Sequence, residues 1–313
     1  ERYATSTTLT RCTANVPTTM LPYLLFITYL TLFSRNTDKN EPTPHKPRQK
    51  NIHAIIIGGS SGMGKACAKV IVAHGGTVLI ASRSLEKLER AAKEINEFST
   101  CSSSQQDQVQ IAVLDAGDEA QVANFAESIT IGDYTSLVVS CAGRAPHGTI
   151  ATLETQLTRE LFDSKFWSAY LCSKYLAPKL ANGGSIAFVA GVLNRRPGLN
   201  CSPLAATNGA LEGLTRALAL ELGPTLRVNC LSPGFCDTER FDHMDATKKE
   251  QMFRNTAESL PLQKIGSALD MGEALFYLLC AEFCTGCVLD CDGGHGIRQY
   301  ASAVSDPMRN NLQ

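Results

Sequence analysis

The chain has 313 residues and a mass of 33.7 kDa, enough to bury a substantial core. With 44% hydrophobic and 19% charged residues, its composition excludes wholesale disorder, collagen and coiled coil. Lys and Arg number 29 against 30 Asp and Glu, a net charge of −1, so no basic excess draws the chain to nucleic acid.

Residues 2–37 contain no acidic side chain, and Met20 to Phe33 is an apolar run broken by Pro22. The run is too short to span a bilayer as a helix and fits a targeting leader over residues 1–35. Membrane contact is expected only if that run is retained, and the location is left as cytoplasmic or organellar. Residues 36–50, polar and carrying three prolines, read as a linker. The fold is expected over residues 51–298, with 299–313 as a tail.

From Ile52 the pattern alternates. Apolar runs at 52–57 and 77–81 read as buried strands, and 109–114, 136–141, 185–190, 226–231 and 287–290 as the strands that follow. Between them, helical spacing is expected over 63–74, 84–98, 118–129, two helices within 153–180, 203–222 and 268–281. Such alternation predicts an α/β doubly wound parallel sheet, the Rossmann fold, with right-handed crossovers.

The first strand runs into Gly58-Gly59-Ser60-Ser61-Gly62-Met63-Gly64. Gly58 permits the tight turn, Gly62 lets backbone approach a pyrophosphate, and Gly64 lets the helix pack on the strand; the free amides of the helix start then face the phosphates. The second strand ends Ala81-Ser82-Arg83-Ser84, with no carboxylate to accept from ribose hydroxyls. Arg83, with Ser82 beside it, suits a 2′-phosphate. The expected cofactor is therefore NADP(H).

With these motifs in place, the chain resembles the short-chain dehydrogenase/reductase family from about Ile52 to Ile297. The resemblance implies that Asp115 in LDAGD contacts adenine. It matches Ser140-Cys141-Ala142-Gly143 to the family's Asn-Asn-Ala-Gly, and Pro233-Gly234 with Thr238 to the turn that holds the nicotinamide carboxamide. The segment Thr285 to Gly294 is similar to the closing strand and Gly-Gly turn. Family members use a Tyr, a Lys four residues on, a Ser thirteen residues before the Tyr, and an Asn one helix earlier. The resemblance places Leu204, Asn208, Gly191 and Lys165 at those four positions, so the usual proton donor is absent.

Lys165 and His147 are then the candidate acids, and Asn208 a stand-in partner for the nicotinamide ribose. Asn194, Arg195, Arg196 and Cys201 belong to the loop that would border substrate. Tyr170-x-x-x-Lys174 imitates the catalytic spacing but precedes the fifth strand, so it is expected to be a packing face. Cys280, Cys284, Cys287 and Cys291 imitate metal spacing, but a helix, a turn and a strand would not converge their thiols; no metal is expected, and buried thiols are. The resemblance implies a homodimer or homotetramer through the helices of 153–180 and 203–222. The expected function is an NADP(H)-binding oxidoreductase acting on a small carbonyl or alcohol with an atypical proton donor. The rivals are an inactive NADP(H)-binding sensor or partner subunit, and a non-redox isomerase or cyclase.

Overall fold

Ala54, Ile55, Ile56 and Ile57 in β1 (His53–Ile57) are all essentially inaccessible. A strand apolar on both faces needs cover on both, and the chain supplies it by placing helices above and below. The computed structural model describes residues 52–98, 108–143 and 145–297; the expectations for the leader, the linker and the tail lie outside them. After β1 come α1 (Gly62–Ala73), β2 (Thr77–Ser82), α2 (Leu85–Phe98), β3 (Val109–Val113), α3 (Glu119–Glu127) and β4 (Ser136–Val139). Next are α4 (Thr155–Phe162), α5 (Ser168–Leu176), β5 (Gly184–Val189), α6 (Ser202–Leu222), β6 (Leu226–Pro233) and β7 (Cys236–Asp237). The last are α7 (Ala246–Ser259), β8 (Gly266–Ser267), α8 (Ala268–Cys280) and β9 (Val288–Cys291).

Seven strands form one sheet in the order β3-β2-β1-β4-β5-β6-β9, and every pairing is parallel. The α/β doubly wound expectation is therefore correct. Alternate residues of β1 feed opposite layers. Ile55 and Ile57 join a core with Leu171, Leu176 and Leu211, whereas Ala54 and Ile56 join one with Ile71, Met271 and Leu275. Each fully buried Ile contributes about 1.5–3 kcal/mol relative to exposure. Strand order reverses between β1 and β4, so their carboxyl ends open the crevice where ligands bind in such sheets.

Three features escaped the sequence reading. The two helices expected within 153–180 are joined, α4 to α5, through a π-helical turn at Asp163–Trp167. A further helix, α7, lies between β7 and β8; none of its residues is buried, so it lacks the apolar stripe that would have announced it. Arg227 in β6 is spent inside the fold: its guanidinium donates to the carbonyls of Leu278, Leu279 and Ala281 at the end of α8 and to that of Cys284. Those are the acceptors a helix end leaves open.

Candidate active site

The first turn of α1 opens directly onto the crevice. Gly58 has φ +83°, and a Cβ there would lie 3.1 Å from Cys141 N and Ser140 Oγ. At Gly64 a Cβ would lie 2.4 Å from Gly58 O and 2.5 Å from Ser140 Oγ. Both positions require hydrogen, because the turn is pressed against the end of β4. Ser61 caps α1 without a side-chain hydrogen bond, and the first turn carries no acidic residue. A carboxylate from elsewhere meets it instead: Glu239 Oε2 accepts from Gly62 N at 2.7 Å. The helix start thus already holds an anion, as its dipole and open amides favour.

At the end of β2, Ser82 Oγ is buried and has no hydrogen-bond partner, while Arg83 is exposed beside it. Arg83 and Asp115 both act electrostatically on Cys141, whose thiol is pushed up to about 12, chiefly by burial. Three residues predicted for one ligand therefore share one neighbourhood. Asp115 Oδ1 accepts from Gly117 N at 3.0 Å, which fixes the loop after β3.

The segments that follow β4 and β6 are equally tight. Gly143 N donates to Ser164 Oγ at 3.2 Å, with Ala142 exposed before it. Pro233 closes β6, and Gly234 N donates to Cys291 O at 3.0 Å. Thr238 packs over the start of α1, its Cβ 3.9 Å from where a Cβ of Gly62 would stand. Gly58 and Gly64 thus press on Ser140, and Gly62 meets Thr238, around the start of α1. These residues fit a dinucleotide: a glycine cradle that any Cβ would fill, an anion already on the helix amides, and an orphaned hydroxyl beside a free-reaching guanidinium.

Lys165 lies in the π turn and is 5% exposed. Its Nζ donates to Asn208 Oδ1 at 2.7 Å and to Ala190 O at 2.9 Å. Burial lowers its pKa to about 8; Cys230 acts against this and the cation of Arg240 adds to it. A π turn inserts one extra residue per turn and re-aims the side chain, which brings an amine from α4–α5 across to α6. Gly191 completes the fit, since a Cβ there would lie 2.9 Å from Asn208 Nδ2. Leu204, one turn before Asn208, is half-buried. His147 is exposed, its Nδ1 3.0 Å from Ala145 O. It is Lys165 that the structure brings against Asn208.

The loop after β5 is anchored by Arg195, which binds both oxygens of Asp290 and donates to Ser232 Oγ at 2.8 Å. Glu212 of α6, with a nearly buried side chain, lies 3.4 Å from the same guanidinium. Tyr170 and Lys174 part company: Lys174 pairs with Glu119 at 2.7 Å, and Tyr170 joins an exposed aromatic face with Phe166 and Trp167. Among the described residues no three potential metal ligands converge. The sequence reading missed Glu239 and the anchor of Arg195, because both depend on contacts between segments far apart in the chain.

Residues 58–296 match a family model described as enoyl-(acyl carrier protein) reductase. A short-chain dehydrogenase/reductase of Stachybotrys chlorohalonatus is 31% identical over 77% of this chain and 95% of its own length. The mouse 3-oxoacyl-[acyl-carrier-protein] reductase is 28% identical over 76% of this chain and 95% of its own. Among solved structures, a small-chain dehydrogenase in complex with NADPH superposes with a TM-score of 0.64 at 31% identity, covering 79% of this chain and 99% of that one. With the parallel sheet, the glycine cradle and a relative above 30% identity in hand, the chain is a member of the short-chain dehydrogenase/reductase family.

Proposed function

We propose that this chain is an NADP(H)-dependent oxidoreductase that interconverts a small carbonyl and its alcohol, with Lys165 as the proton donor. The observation that carries the reading is the buried ammonium of Lys165, held between Asn208 Oδ1 and Ala190 O. Arg83 and Ser82 would take the 2′-phosphate, and the amides opening α1 the diphosphate. Bound there, the cofactor supplies a hydride to the carbonyl carbon.

The rest falls to the protein. An ammonium has three N–H donors; Asn208 and Ala190 engage two, and the third is left for a substrate oxygen. A donor with a pKa of about 8 is protonated at neutral pH yet gives up its proton readily, the balance general acids need. Asn208 Oδ1 orients Lys165, and Leu204 contributes only apolar wall. Gly191 matters by what it lacks, because a side chain there would displace Asn208. In the alcohol-to-ketone direction the neutral amine accepts the proton.

The test is NADPH consumption by the purified protein across a panel of small aldehydes and ketones, with reduced product identified. Turnover is expected with at least one carbonyl and with NADPH over NADH. Tight NADPH binding without consumption across the panel would instead favour a sensor or partner subunit. Product formed with the cofactor unconsumed would favour an isomerase or cyclase.

A further inference from the structure

We infer that Glu239 is an internal occupant of the phosphate cradle, and that the dinucleotide must displace it to bind. The inference rests on the cofactor reading above and concerns what the free protein does with the same amides. Glu239 directly follows Thr238 on the segment after β7, 177 residues from Gly62, so the contact is tertiary. One carboxylate oxygen accepts from Gly62 N at 2.7 Å. The other lies 2.6 Å from Lys65 Nζ, one turn further along α1. Lys65 is itself largely buried and also pairs with Glu94 of α2 at 2.6 Å.

The arrangement imitates a bound phosphate: an anion on a first-turn amide with a lysine alongside. Hydrogen bonds to Lys65 and to the Gly62 amide hold the Glu239 carboxyl below its ordinary pKa, against the desolvation that opposes them. Glu239 is thus an anion at neutral pH. A diphosphate and this carboxylate would compete for one positive end of one helix, and like charges do not share it.

The fold also gives the displaced side chain somewhere to go. A cavity of about 370 Å³ adjoins Glu239, lined by Lys65, Lys69 and Lys249 and also by Asp237 and Asp242, which both pair with Lys249. The carboxylate can swing off the Gly62 amide into this cavity on the Lys65 and Lys69 side, away from Asp237 and Asp242, while Thr238 stays at the crevice. Cofactor affinity is therefore set partly by the charge-assisted contact that must first be surrendered.

Calorimetric titration of the full chain with NADPH tests this, comparing wild type with Glu239→Gln and Glu239→Ala. Glu94→Gln serves as a control that removes a partner of Lys65 without touching the cradle. Both Glu239 variants are expected to bind about tenfold tighter, the size of one charge-assisted contact no longer surrendered, and Glu94→Gln to match wild type. Equal or weaker binding by the folded Glu239 variants, with wild type still binding, overturns the displacement alone. Absence of binding in all four proteins overturns the cofactor reading, and the displacement with it.

Discussion

Lys165→Met is expected to lower kcat for carbonyl reduction by about 10²–10⁴-fold, the range a general acid contributes, while NADPH still binds. Methionine keeps the length and apolar stem of the side chain and removes only the amine, leaving Asn208 Oδ1 and Ala190 O without their donor. A purely structural role would show as a lower melting temperature with little change in kcat. The pH profile separates the two further. Reduction needs the ammonium, which is fully present below its pKa of about 8 and lost above it. The wild-type rate of reduction should therefore fall as pH rises through that value, and alcohol oxidation, which needs the neutral amine, should rise. The residual activity of Lys165→Met should show neither limb.

Arg83→Ala is expected to weaken NADPH binding by about 10–100-fold, the loss of one strong charge-assisted contact at about 1.5–3 kcal/mol. NADH binding should be unchanged, so the preference between the two cofactors collapses by the same factor. Because Arg83 is exposed, its contribution should also shrink at high ionic strength. Titration with both dinucleotides at low and high salt measures this; an equal loss for NADH would move Arg83 from cofactor selection to general binding.

The frame of the molecule was legible because its central strands, β1 and β2 above all, are short and almost wholly apolar. Ile55 and Ile56, buried in opposite layers, leave a parallel strand covered on both faces as the natural reading. The cradle was legible for a related reason: Gly58 and Gly64 stand where any Cβ would strike backbone or Ser140, so steric demand is written in residue type. The proposed proton site was legible only in part. Reading Lys165 and Asn208 at altered positions made each look like a loss. The structure shows them in contact, an amine and an amide facing one another from opposite helices. Nothing local signals this, because Lys165 and Asn208 are 43 residues apart in the chain and meet only through the π turn inside a stretch that reads as ordinary helix. Helix α7 was missed because its polar surface has no periodic stripe, and Glu239 because its partners lie on α1.

In the proposed reaction a hydride moves from the cofactor to a carbonyl while Lys165 supplies the proton. Turnover of an accepted carbonyl with NADPH deuterated at the transferable C4 position, read by mass spectrometry of the product, tests it most directly. One deuterium per product molecule from wild type, and product formation nearly abolished in folded, NADPH-binding Lys165→Met, is the predicted result. Product without deuterium, or undiminished turnover by the variant, would contradict it.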